Sequence, residues 1–170
     1  MTPKTEETYA DRAELIADQW RTERPDLDPT PVLVIGRLHR VAAALTTELV
    51  RVYNEFGLGE GEFDVLATLR RQGGEFALTP SELCERTMVT SGAVTKRVDR
   101  LITLGLVDRR PSGTDGRSRV VALTPKGRDL IDEAFTAHMA NEARLVSALS
   151  PTERADLERG LLVLARSLGV

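Results

Sequence analysis

Residues 78–130 read LTPSELCERTMVTSGAVTKRVDRLITLGLVDRRPSGTDGRSRVVALTPKGRDL. Thr79-Pro80-Ser81-Glu82 combines a hydroxyl N-cap, a proline at the first helical position and a Glu three residues after the Thr, which predicts a helix start closed by a capping box. Thr87-Met88-Val89-Thr90 then interrupts the helix with β-branched and hydroxyl residues. A second helix is predicted from about Ser91 to Leu104, stopping at Gly105. So short a connection fits a helix-turn-helix. On a wheel of about 100° per residue, Val94, Val98, Leu101 and Ile102 share one arc, while Lys96, Arg100, Gly92 and Thr103 lie opposite. The second helix should therefore bury one side and offer a basic one.

Residues 107–110, a polar turn over 111–116 and the strand-rich stretch 117–123 predict a hairpin whose flanks carry Arg109, Arg110, Arg117 and Arg119. Alone, such a hairpin reads equally as a solvated ribbon bearing surface arginines. Beside a capped helix pair it reads as a wing whose guanidinium groups suit the negative potential of a narrow minor groove. Charge agrees locally. The chain is formally −3, but residues 79–128 hold ten Lys or Arg against five Asp or Glu, so that stretch is +5 and the remainder −8. A basic lobe on an acidic body is the footprint of phosphate contacts. The expected class is mainly α with a small β wing: a winged helix-turn-helix lobe plus a helical dimerisation lobe.

From the helix pair through Asp115-Gly116-Arg117 to the Leu-Thr-Pro-Lys-Gly that opens the next helix, the residues resemble the MarR family of bacterial transcriptional regulators. That resemblance implies a dimer with one recognition helix per subunit in successive major grooves. It also implies that Arg117 enters the flanking minor groove with Asp115 as its orienting partner. On the residues, Ser81, Thr90, Ser91, Thr95 and Lys96 are candidates to position phosphates, Arg100 to read guanine, and Arg110, Arg117 and Arg119 to contact DNA from the wing.

Four hydroxyl–proline pairs, at Thr30-Pro31, Thr79-Pro80, Thr124-Pro125 and Ser150-Pro151, predict helix starts that divide the chain into blocks. Leu38, Ala42, Leu45, Leu49, Val52 and Phe56 mark a long amphipathic helix ending at Gly57. Phe63, Leu66, Ala67 and Leu69 mark another, ending at Gly73-Gly74, with residues 75–78 free to add a strand to the wing. Leu130, Ile131, Ala134, Phe135, His138, Leu145 and Leu149 line a further helix, and Leu157, Leu161, Leu164 and Leu168 the last. Those terminal stripes either complete a monomer core or pair with a second subunit. A single recognition helix rarely suffices for affinity, so a homodimer on a pseudo-palindromic operator in double-stranded DNA is expected. The expected division is 1–29 as an N-terminal extension helix, 30–57 and 124–170 as the dimerisation region, and 58–123 as the DNA-binding lobe.

The extension, from about Glu6 to Arg24, places Tyr9, Ala13, Ile16 and Trp20 on one stripe, where Trp20 reads most simply as docking the helix onto the body. A narrower resemblance gives it another role. The urate-responsive MarR subgroup has such a helix and binds its ligand with a Trp, an Asp and two Arg, matched here by Trp20, Asp64, Arg97 and Arg109. An indole can stack on a flat anionic bicycle, guanidinium groups can pair with its charge, and a carboxylate can accept its ring N–H groups. Arg97 lies at the edge of the buried arc and can point back into the protein. Asp64 falls outside the arc of Phe63, Leu66 and Leu69 and reads equally as solvated, and Arg109 could bind a phosphate instead.

The remaining composition bounds the class. The longest apolar runs are too short to cross a bilayer, so a cytoplasmic protein without membrane attachment is expected. One cysteine, Cys84, forms no internal disulfide and reads as a packed, inert thiol, and two separated histidines show no metal spacing. There is no phosphate-binding glycine loop and no nucleophile elbow. The expected function is a ligand-responsive DNA-binding repressor, not an enzyme, with no cofactor and with urate or a related anionic purine or aromatic acid as effector. The alternatives are a regulator without small-molecule control and a winged-helix module for protein contacts.

Overall fold

The computed structural model describes residues 11–87, 91–112 and 118–170. Among the described residues, seven helices and three strands run in the order α1 (Arg12–Glu23), α2 (Pro31–Glu55), α3 (Glu60–Arg71), β1 (Ala77–Leu78), α4 (Pro80–Arg86), α5 (Ser91–Thr103), β2 (Val107–Ser112), β3 (Ser118–Leu123), α6 (Pro125–Leu145) and α7 (Pro151–Leu168). The chain divides into two compact units, Met1–Thr47 and Glu48–Val170. Among the described residues no helix is long and apolar enough to cross a membrane.

In the first unit, α1 starts where Asp11 accepts a hydrogen bond from the Ala13 N–H at 3.0 Å. The predicted start near Glu6 and the stripe member Tyr9 lie outside the described residues. Arg37 of α2 donates to Asp11 through Nε at 2.7 Å, and that bond holds the Asp11 carboxyl below its usual value. The buried residues of α1 are Ala13 and Ala17, while Ile16 and Trp20 are exposed, so of the predicted stripe Ala13 is buried but Ile16 and Trp20 are not, and the buried line continues through Ala17 instead. The reason is close approach: Ala13 Cβ lies 3.5 Å from where a Cβ on Gly36 would stand, a spacing that admits only small side chains.

The hydroxyl–proline starts can be compared one by one. Thr79 accepts from the Glu82 N–H at 3.3 Å, Thr124 from the Gly127 N–H at 3.0 Å, and Ser150 from the Glu153 N–H at 3.3 Å. Glu82 answers by accepting from the Thr79 N–H at 2.9 Å, which completes the box and keeps its carboxyl below the ordinary glutamate range. Thr30 behaves differently. Its hydroxyl donates to Asp28 Oδ2 at 2.8 Å, and the first turn of α2 is tightened by a bond from the Val32 N–H to the Pro29 carbonyl at 3.0 Å.

The second unit is built around α3. Val65, Leu66 and Leu69 are completely buried against Leu83 of α4, Leu101 of α5 and Ile131 of α6. Together these side chains form one continuous core, and truncating any of the leucines to Ala costs on the order of 2–5 kcal/mol. The sheet has the order β1-β3-β2 and is antiparallel throughout. Pro111 extends β2 beyond the predicted 107–110, opposite Arg119. It can do so because β2 is an edge strand, where a missing N–H leaves no ladder bond unmade. Residues 77–78 form the edge strand anticipated from the sequence, seated by a bond from the Leu123 N–H to the Phe76 carbonyl at 3.1 Å.

Gly105, with φ of 70°, ends α5, and the Leu106 N–H returns to the Leu101 carbonyl at 2.9 Å. The start of α6 is clamped to this corner. Thr124 Oγ1 donates to the Gly105 carbonyl at 2.8 Å, the Thr124 N–H to the Leu106 carbonyl at 3.1 Å, and Lys126 Nζ to the Leu104 carbonyl at 2.9 Å. The recognition-helix end, the wing root and the start of α6 are therefore tied together by hydrogen bonds. By contrast α7 has no buried residue, and Leu157, Leu161 and Leu162 on it are exposed.

Candidate nucleic-acid face and ligand pocket

Helix α5 separates its faces as the wheel anticipates: Val94, Val98 and Leu101 are at most 3% exposed, whereas Thr95, Lys96 and Arg100 face solvent. Ser81 on α4 and Arg110 and Arg119 on the wing strands are exposed as well. Arg110 is held at the wing root, its Nε 2.8 Å from Asp108 Oδ1. The side chain of Ser91 and the whole of Thr90, Asp115 and Arg117 lie outside the described residues. Arg109 pairs with Asp99 of α5 at 2.7 Å and lines a cleft with Pro80, Arg119, Val120 and Val121.

A pocket of about 380 Å³ opens on the other side of α5. Its apolar wall is Tyr53, Phe63, Phe135 and His138, contributed by the end of α2, by α3 and by α6. Tyr53 stacks on Phe63 with ring centroids 4.1 Å apart, and His138 stands 5.0 Å from the Phe63 centroid. Of the seven aromatic residues in the chain, three are gathered here, which marks the wall as more than incidental core. The Tyr53 hydroxyl is 3.3 Å from His138 Nδ1, and His138 Nε2 is 3.2 Å from Glu142. Burial, reinforced by the negative charges of Glu142, Glu60 and Asp64, pushes the Tyr53 phenol up to about 12. At neutral pH it is therefore an uncharged hydroxyl that can donate or accept one hydrogen bond.

The polar side of the pocket carries Asp64 and Arg97, two of the four residues predicted to bind ligand, with Glu60 and Arg71. Asp64 is half-buried rather than fully solvated. Arg97 is half-buried too, and its guanidinium lies directly over Gly61, where a Cβ would collide with it. One of its nitrogens, Nη1, is buried without a hydrogen-bond partner. Such a group costs free energy until something accepts its proton. Arg109 is not among the lining residues, and Trp20 belongs to the first unit, on an exposed face of α1. Sequence reasoning placed Phe63, Phe135 and His138 on core stripes and did not single out Tyr53 or Arg71. The signal available was chemical, since a His three residues after a Phe on an apolar face brings a polar ring into an aromatic layer.

Cys84 is half-buried and packs against the core. Among the described residues no group of three or more His, Cys, Asp or Glu is placed to hold a metal ion.

The comparisons with known proteins agree with this architecture. Residues 56–118, which span α3 through β2, match the MarR family profile. The chain is 42% identical over 147 residues to the HTH-type transcriptional regulator PecS of Dickeya dadantii, covering 86% of this chain and 88% of that protein. Among solved structures, a cysteine-to-serine variant of MarR from E. coli complexed with operator DNA is 26% identical, with a TM-score of 0.66 over 85% of this chain and 96% of that one. Bordetella bronchiseptica BpsR, whose DNA binding is regulated by 6-hydroxynicotinic acid, is 25% identical, with a TM-score of 0.65 over 77% and 92% of the two chains. A buried apolar arc behind an exposed basic helix, an arginine-flanked wing and this degree of likeness have one reading: the chain belongs to the MarR family of DNA-binding transcriptional regulators, and it is not an enzyme.

Proposed function

We propose that the protein is a cytoplasmic homodimeric repressor that holds a pseudo-palindromic operator and leaves it when a small anionic ligand such as urate binds. The observation that carries this reading is the pocket beneath α5, lined by Asp64, an aromatic wall and a half-buried arginine of the recognition helix whose Nη1 is buried without a hydrogen-bond partner. A flat anion with ring N–H groups matches the chemistry of the lining: negative charge for the unsatisfied Nη1 of Arg97, N–H groups of a kind that the Asp64 carboxylate can accept, and a face for the rings. The volume suits a small bicyclic ligand. The regulation of BpsR by a flat heteroaromatic acid supports the same class of effector.

In this reading Trp20 supplies an indole face for the ligand, and Arg109 pairs with the ligand after exchanging its Asp99 partner. DNA is held by Ser81, Thr90, Ser91, Thr95, Lys96 and Arg100 of the helix pair, with Arg110, Arg119 and Arg117 from the wing and Asp115 orienting Arg117. Residues 58–123 form the DNA-binding lobe, and 30–57 with 124–170 the dimerisation region. The exposed leucines of α7 support pairing with a second copy, because an unpartnered helical face of that kind marks an interaction surface. Release works as a population shift. Ligand favours a position of Arg97, and hence of α5, that spoils operator spacing, and a tenfold loss of affinity needs only about 1.4 kcal/mol of differential binding.

The test exploits Gly61. A methyl there meets the mobile end of a side chain rather than backbone, so Gly61→Ala should fold normally while evicting the Arg97 guanidinium from the pocket. Urate titration of the protein–operator complex, followed by fluorescence anisotropy, is expected to release wild-type protein. Gly61→Ala and Arg97→Ala should need roughly ten- to a hundredfold more, the worth of one charged hydrogen bond. Wild-type protein that stays on DNA at saturating urate would remove urate from the proposal, whereas both variants responding like a urate-responsive wild type would remove Arg97 from the ligand site.

A further inference from the structure

The first turn of α3 grips two arginines of the recognition helix, and only one of them belongs to the pocket. Gly61 receives Arg97, and the next residue, Glu62, faces Arg100. The Glu62 side chain is only 13% exposed, and its two oxygens have separate tasks. Oε2 accepts the Gly59 N–H at 2.6 Å and closes the start of α3, whereas Oε1 stands 3.7 Å from Arg100 Nε. A carboxylate pinned by its own helix cap is a fixed charge. Arg100, with 59% of its side chain exposed, is otherwise a long chain with many rotamers.

The atom that faces Glu62 is what matters. Guanine presents O6 and N7 side by side in the major groove, and an arginine reads both by donating two parallel hydrogen bonds. A partner on the Nε side leaves Nη1 and Nη2 as the free fork. We propose that Glu62 is a positioning residue for sequence readout: it holds Arg100 by its Nε edge so that the terminal nitrogens enter the groove already aligned for guanine. This rests on the assignment of Arg100 as the base reader. It predicts an effect on discrimination rather than on total affinity, because phosphate contacts tolerate many arginine orientations and a bidentate base contact does not.

Glu62→Gln separates this role from the structural one. The amide keeps an oxygen for the Gly59 N–H, so the cap and the melting temperature should be retained, while the charge opposite Arg100 is lost. The measurement is the ratio of affinities for a duplex selected by the wild-type protein from a random pool and for an unselected duplex of equal length. It is taken at one salt concentration for wild type, Glu62→Gln, Arg100→Ala and the double variant. Removing a negative charge near DNA raises both affinities, and the ratio cancels that effect.

Glu62→Gln is expected to lower the ratio roughly tenfold for a dimer with two such arginines, and to add nothing when Arg100 is already Ala. An unchanged ratio in Glu62→Gln alongside a reduced one in Arg100→Ala overturns the positioning role and leaves the base-reading assignment standing. An unchanged ratio in Arg100→Ala overturns that assignment itself. An equal loss from Glu62→Gln in the presence and absence of Arg100 shows that Glu62 acts through some other group.

Discussion

Gly127→Ala is expected to lower the unfolding free energy by about 3–5 kcal/mol and the melting temperature by roughly 10 °C, a large effect for one methyl group. Gly127 is the third residue of α6, and its N–H serves the Thr124 cap. A Cβ there would drive into the Leu106 carbonyl oxygen, with the carbonyl carbon only 2.8 Å away and Leu106 Cα at 3.1 Å. These are backbone atoms and they cannot swing aside. Leu106 is fixed by its N–H to Leu101 and by its carbonyl, which accepts from the Thr124 N–H. Relief therefore requires α6 to move off the corner, which breaks the Thr124 and Lys126 clamps and disturbs the wing root at Val107. Intrinsic propensity acts the other way, since Ala is better than Gly in a helix by about 1 kcal/mol. Gly160→Ala in α7, with nothing within 4 Å of its Cβ position, isolates that term and is expected to stabilise slightly. Thermal and urea unfolding of the two variants checks both signs. A Gly127→Ala protein as stable as wild type would show that this corner does not lock the helix, wing and α6 together.

The corner illustrates what a sequence window can and cannot reveal. The Thr124-Pro125 start of α6 is legible because a cap is a local matter of three or four residues. The need for Gly at 127 is not, since it comes from the Leu106 carbonyl, more than twenty residues back along the chain. The same division runs through the site. Arg97 could be placed at the edge of the buried face by counting 100° steps along α5 alone. Asp64 could not, because the arc of α3 was drawn from the apolar residues Phe63, Leu66 and Leu69 alone, and the pocket exists where α6 brings Phe135 and His138 beside Phe63 at the edge of that arc. The extension shows the opposite error. A stripe drawn from Ala13 through the large residues Ile16 and Trp20 missed that Ala17 is the other buried residue, because close helix packing at Gly36 favours small side chains. Arg109, read as a ligand or phosphate partner, is paired with Asp99 ten residues away, across a turn.

Operator affinity is expected to fall about a thousandfold between 50 and 200 mM salt. Each phosphate neutralised by Lys or Arg releases condensed counterions, so that log K declines with log salt at about 0.9 per contact on duplex DNA. Exposed Lys96 and Arg119 with the wing residues Arg110 and Arg117 offer about three such contacts per subunit once the minor-groove arginine is set aside, and a dimer about six. The acidic remainder of the chain, with a whole-protein isoelectric point of about 5.5, supplies no compensating attraction elsewhere. The slope should therefore be a property of this face alone. Arg119→Ala is expected to lower it by about one per subunit while weakening selected and unselected duplexes alike. Lys96→Ala should do the same. A winged helix used only for protein contacts behaves otherwise: its residual binding to DNA is weak, and neither substitution changes how that binding responds to salt. An anisotropy series in potassium chloride on the three proteins decides between them, and a flat response in the wild-type protein would exclude phosphate contacts by this face.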